Sequence, residues 1–147
     1  MGNSLPKPLE NRHFLPIYCV PQYIGAGGVG MATEDFKLLQ KVQDMLKYAY
    51  PILHQYPKVE KFSLANDIRH TMNMILEYTI TEEKKYTKTT TLEKLDIENE
   101  KLKIYIRISF ELKYIDRHRY SVWSAKVVEI GKMIGGLIKS VKDRPKS

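Results

Sequence analysis

The stretch YSVWSAKVVEIGKMIGGLIKSV, Tyr120 to Val141, decides the fold. Its apolar residues fall at Tyr120, Trp123, Val127, Ile130, Ile134, Leu137 and Val141, in steps that alternate three and four. That spacing is a heptad seam: one continuous apolar stripe along a helix, which must be buried against other helices. Gly131 and Gly135 lie one turn apart, off the seam and beside Ser124 and Ile138. Glycine inside a helix costs roughly 1 kcal/mol relative to alanine, so the pair predicts close approach by another helix or subunit. Lys132 and Lys139 project nearly opposite the seam and give the helix a basic edge.

Outward from this helix, the pattern repeats. Thr33 is a good N-cap, followed by Glu34 and Asp35, and a first helix follows with a seam at Leu39, Val42, Leu46, Ala49 and Leu53. Pro51 lies within that pattern and is expected to kink or shorten it, and Pro57 closes the segment. From Lys58 to Ile130 there is no glycine and no proline over 73 residues, which favours long helices joined by short polar turns. A second helix opens at Ser63 with a stripe at Leu64, Ile68, Met72, Ile75 and Thr79. The polar run Glu83 to Thr91 reads as a loop, and Thr90 with Glu93 as a capping box for the third helix.

The third helix carries a conflict. Leu102, Ile104, Ile106, Ile108, Phe110, Leu112 and Tyr114 alternate strictly, which in isolation is a strand pattern. Its length and its helical neighbours favour a helix apolar on two sides. Leu95, Leu102, Ile106 and Phe110 make one face; Ile97, Ile104, Ile108 and Ile115 make the other. In a bundle the second face needs a further partner, which predicts self-association. Asp116 then caps the fourth helix. The expected fold class is all-α, an antiparallel four-helix bundle over residues 32–147, preceded by an irregular arm over residues 1–31. That arm holds nine of the fifteen glycines and prolines, and its removal is expected to leave the bundle folded.

Composition narrows the function. A chain of 147 residues suggests one domain. The net charge of +7 favours a polyanionic partner without requiring one. The single cysteine, Cys19, excludes an internal disulfide, and no run reaches transmembrane length or resembles a signal peptide. The expectation is a cytoplasmic protein with no membrane contact. Gly25 to Gly30 matches G-x-G-x-x-G, but Pro21 interrupts the strand this motif requires and no parallel sheet follows. The four histidines, His13, His54, His70 and His118, have no ligand spacing. Glu98 and Glu100 do not face each other on a helix, and no serine has a nucleophile context. No catalytic residue, metal or cofactor is expected.

Charge concentrates toward the C-terminus. Residues 116–147 hold eight basic and three acidic residues, whereas residues 58–83 hold three and five. Arg117, Arg119, Lys126, Lys132, Lys139 and Lys142 are therefore the candidate contacts for nucleic acid. Aromatic residues do not interleave with them, so phosphate contact is expected rather than base stacking.

Three segments carry a family resemblance: Pro57-Lys58-Val59-Glu60-Lys61-Phe62-Ser63-Leu64, then Ile68-Arg69, then Glu129-Ile130-Gly131-Lys132-Met133-Ile134-Gly135-Gly136-Leu137-Ile138-Lys139-Ser140. Over about residues 33 to 142 the chain resembles the accessory variability determinant (Avd) family of diversity-generating retroelements. That family is related to the four-helix-bundle proteins encoded in ribosomal-RNA intervening sequences. The resemblance implies a ring-like homopentamer, a basic surface for RNA or DNA, and partnership with a retroelement reverse transcriptase in mutagenic cDNA synthesis. The residue pattern alone says only that there is more than one subunit. It leaves open a structural homo-oligomer that binds a protein partner only.

Overall fold

The computed structural model describes residues 33–84 and 89–145. The expected N-terminal arm and its G-x-G-x-x-G run lie outside the described residues. Four helices form: α1 (Thr33–His54), α2 (Leu64–Lys84), α3 (Thr89–Glu111) and α4 (Arg117–Lys142). A 3-10 turn, Lys58–Phe62, stands between α1 and α2. Among the described residues there is no strand. Consecutive helices pack on one another and α1 closes against α4. This is the up-down-up-down bundle that short connections impose.

The seams of α2 and α4 are buried along their middle as the spacing predicts, while Leu64, Tyr120, Leu137 and Val141 are half-buried. Ile68, Met72 and Ile75 of α2 and Trp123, Val127, Ile130 and Ile134 of α4 are fully enclosed. In α1 the buried set is wider than the expected seam. Leu38 and Met45 are enclosed, whereas Leu39 is only half-buried. A helix packed on two neighbours needs an apolar stripe wider than one heptad seam. Pro51 does not shorten α1, which continues to His54. The ring sits on the exposed side, where the backbone carbonyl left without its amide partner can meet water.

Two further expectations are corrected. The loop expected over Glu83 to Thr91 is shorter, because α2 runs to Lys84 and α3 begins at Thr89. Thr90 is therefore inside α3, and the expected Thr90–Glu93 capping box does not mark its start. Antiparallel neighbours need only a short link, so helix displaces loop where propensity allows it. The alternating segment from Leu102 is helical to Glu111. Leu95, Leu102 and Ile106 are enclosed, and Ile97 and Ile104 face outward.

The α3–α4 turn has a defined geometry. The Tyr114 amide donates to the Ser109 carbonyl at 2.9 Å, and the Lys113 amide donates to that of Phe110 at 3.0 Å. Lys113 has φ 62°. This is a helix-ending motif that places a left-handed residue where glycine is usual. A side chain there costs roughly 1–2 kcal/mol, partly offset by glycine's greater freedom in the unfolded chain. Lys113→Gly should therefore stabilise the bundle by about 1 kcal/mol, read as a rise of a few degrees in melting temperature. An unchanged or lower melting temperature would show that the Lys113 side chain contributes more than its backbone costs. Beyond the turn, the Asp116 side chain accepts from the Arg119 amide at 2.7 Å and caps α4 as expected.

Candidate nucleic-acid interface

The six basic residues expected to act together differ in their surroundings. Arg119 folds back toward the carboxylate of Asp116, 3.9 Å away. The Lys126 ammonium lies 5.6 Å from the centroid of the Tyr48 ring on α1. Burial pushes the Tyr48 phenol up, against the opposing pull of nearby Arg119. Lys142 reaches Glu93 at the start of α3, at 4.0 Å. These three cations are partly engaged within the chain.

Arg117, Lys132 and Lys139 are exposed, and no ion pair reaches them among the described residues. Lys132 and Lys139 are seven residues apart on the outer face of α4, about 10 Å along its axis. The one acid near the middle of α4, Glu129, is held by Lys41 of α1 at 3.0 Å. The outer α4 lysines therefore keep their charge available to an external anion.

The two glycines separate in role. A Cβ on Gly131 would lie 2.9 Å from Asn99 Nδ2 and 3.5 Å from Lys103 Nζ, both on α3. Asn99 is fully buried and donates from Nδ2 to the Val127 carbonyl at 3.2 Å. The close approach is thus an asparagine of α3 crossing to the α4 backbone, and Gly131 leaves room for it. Sequence reasoning missed Asn99, because a polar residue inside an apolar stripe carries no periodic signal. Among the described residues a Cβ on Gly135 would meet nothing within 4 Å, so no described helix makes the close approach expected there. Gly135 shares the outer face with Lys132 and Lys139, so a subunit seated on it would cover those lysines.

The expected outer face of α3 is also corrected at one position. Ile97 and Ile104 are 59% and 49% exposed, and Ile108 is half-buried beside them. Ile115 is 4% exposed and belongs to the core. The helix ends at Glu111 and the left-handed Lys113 turns the chain inward, so helical spacing no longer places Ile115. Leu112, 50% exposed, extends the outer face instead.

A second basic site lies at the end of the bundle, where the sequence pointed least. A cleft of about 510 Å³ opens between the end of α1, the 3-10 turn and the start of α2. Lys58, Lys61 and Arg69 line it, with His54, Asn66 and Phe62. Among the described residues no acidic side chain lines it. The acid nearest Lys58 and Lys61 in sequence, Glu60, is taken up elsewhere. It accepts from Tyr114 Oη at 2.8 Å, from the Leu64 amide at 3.2 Å and from the Ser63 hydroxyl. The Ser63 and Tyr114 hydrogen bonds hold the Glu60 carboxyl below the usual range, and the same contact with Glu60 holds the Tyr114 phenol above its own. This clasp ties the α1–α2 corner to the α3–α4 turn. Tyr114 also packs on Tyr56, ring centroids 5.5 Å apart, and burial pushes the Tyr56 phenol up to about 12.

Among the described residues no group of three histidine, cysteine or acidic side chains could hold a metal ion. None of the described helices is long and apolar enough to cross a membrane. Fold and surface together define a four-helix-bundle protein whose exposed chemistry is chiefly cationic. The bAvd-like family model matches residues 36–141, and the chain belongs to that family, an accessory protein of the Avd type. No curated protein sequence matches it. Among solved structures, one similar fold is a protein of unknown function from the S23 ribosomal protein family of Bacteroides thetaiotaomicron. The TM-score is 0.65 and the identity 15%, over 73% of this chain and 99% of that one. At that identity the likeness is one of fold.

Proposed function

We propose that this protein is a nucleic-acid-binding accessory factor that associates with a retroelement reverse transcriptase and supports mutagenic cDNA synthesis. It works as a homo-oligomer, with five subunits as the family resemblance implies, and without catalysis of its own. Membership of the Avd-like family supports the partnership. The observation that carries nucleic-acid binding is the pair Lys132 and Lys139, exposed on α4 with no ion pair among the described residues. Cations placed this way contact phosphates and carry little sequence information.

The test is a salt series on duplex DNA with Lys132→Gln/Lys139→Gln. Each lost phosphate contact should flatten the dependence of log affinity on log salt by about 0.9, so the double variant should lose nearly two units of slope. Both positions are exposed, so the circular dichroism spectrum should not change. An unaltered slope removes these lysines from the interface. Absence of binding by the unmodified protein at low salt favours a second reading, a scaffold that binds protein alone. The exposed isoleucines of α3 speak for that reading.

A further inference from the structure

The 3-10 turn presents an aromatic ring where a folded chain has no use for one. Phe62 is 84% exposed, and its neighbour Val59 is 79% exposed. No residue of the turn itself is buried. A bare phenylalanine is unremarkable alone, since most surfaces carry scattered apolar atoms. Here the ring stands at the mouth of the cleft lined by Lys58, Lys61 and Arg69. The Lys61 ammonium lies 5.5 Å from the centroid of the Phe62 ring. These three cations are all the basic residues between positions 58 and 83, and the fold gathers every one of them into the same cleft.

The clasp explains why the cleft stays cationic. Glu60 sits between Lys58 and Lys61 in sequence and would neutralise one of them if it faced the same way. Its carboxylate is instead bound by Tyr114, Ser63 and the Leu64 amide. An aromatic face beside uncompensated cations is the combination that binds single strands: bases stack on the ring and phosphates meet the charges. A duplex keeps its bases stacked on one another and offers the ring nothing. The volume of about 510 Å³ lies within the range of small-ligand pockets.

We infer that this cleft seats one nucleotide of a single-stranded nucleic acid, its base on Phe62 and its phosphate among Lys58, Lys61 and Arg69. The inference rests on the nucleic-acid reading above and adds to it a strand-selective subsite remote from Lys132 and Lys139 in sequence. The outer α4 lysines then supply affinity for any phosphate backbone, and the cleft distinguishes an open strand from a paired one.

The experiment uses the full chain with a short fluorescent oligothymidylate, a duplex of mixed sequence, and thymidine monophosphate as competitor. Phe62→Ala should weaken oligothymidylate binding roughly tenfold, the effect of removing one stacking partner, and leave its salt slope unchanged. Phe62→Tyr should retain binding. Duplex affinity should stay the same in both. Lys58→Gln/Lys61→Gln/Arg69→Gln should flatten the single-strand slope by about two units, at about 0.7 per contact. Competition by the mononucleotide at millimolar concentration would identify a free-nucleotide pocket and overturn the strand assignment. Equal losses for strand and duplex, or none for the strand, would overturn the inference while leaving Lys132 and Lys139 as the general interface. A change in oligomeric state with Phe62→Ala, read by light scattering, would assign the ring to a subunit contact and overturn it as well. If the unmodified protein binds neither probe, the inference falls together with the broader reading.

Discussion

Ile97→Glu/Ile104→Glu should yield a folded protein that no longer self-associates and that binds nucleic acid about a hundredfold or more weakly. The fold should survive because both side chains are largely exposed on α3, and exposed substitutions usually stay within about 0.5 kcal/mol. Assembly should fail because two carboxylates would be desolvated in an apolar contact without partners. Affinity should fall more than the loss of any single cation would suggest. An oligomer holds several copies of the same basic face against one polymer, and linked sites gain about 10²–10⁴ over one site alone. Sedimentation or light scattering reports the first effect and a binding titration the second. Assembly that persists with both glutamates in place would remove this face from the interface. As a contrast, Leu102 lies on the enclosed side of the same helix, and glutamate there should unfold the protein.

Gly131→Leu should destabilise the bundle by about 2–4 kcal/mol. The new side chain would displace Asn99, whose Nδ2 already lies 2.9 Å from the position of a Cβ. Moving Asn99 breaks its bond to the Val127 carbonyl and strands buried polar groups, at roughly 1–3 kcal/mol. Overpacking adds roughly 1–3 kcal/mol, and improved helix propensity returns about 1 kcal/mol. The melting temperature should fall by about 10 °C. In an Asn99→Ala background the same substitution should cost much less, because the space is already vacated. Gly135→Leu meets nothing among the described residues and should leave the fold intact. Equal losses at Gly131 and Gly135 would contradict the assignment of the close contact to Asn99.

Most of the bundle is legible because a buried helix writes its contacts at a fixed period. Trp123, Val127, Ile130 and Ile134 could be placed from spacing alone, and so could Ile68, Met72 and Ile75. The strand-like alternation from Leu102 resolves the same way. Leu102 and Ile106 face in, Ile104 faces out, and two helical faces overlaid on one sequence imitate a period of two. Spacing fails where a helix stops: Ile115 reads as part of an outer stripe only while α3 is assumed to continue through Lys113.

The candidate site was less legible. Averaging charge over a segment pointed to Lys132 and Lys139, which are exposed, but could not show that Arg119 and Lys142 are turned toward Asp116 and Glu93. The same averaging made residues 58–83 look acidic and hid the basic cleft. What separates Glu60 from Lys58 and Lys61 is a hydrogen bond to Tyr114, 54 positions away, and no local window contains both ends of it.

The isoleucine ridge on α3 has a consequence for parity. A ridge buried against its own copy requires a two-fold axis, and two-fold contacts pair subunits in even numbers. A closed ring of five has no two-fold relation between neighbours, so every contact joins two unlike surfaces. In such a ring the ridge must meet some other part of the next subunit. The outer face of α4 fits that role poorly, since Lys132 and Lys139 would be buried with it. The receiving surface then falls to the other helices, where Tyr50 of α1 and Ile80 of α2 are exposed apolar residues. Counting subunits therefore also reports geometry: isoleucine against isoleucine requires an even count, and five sets each ridge on a neighbour's unlike side.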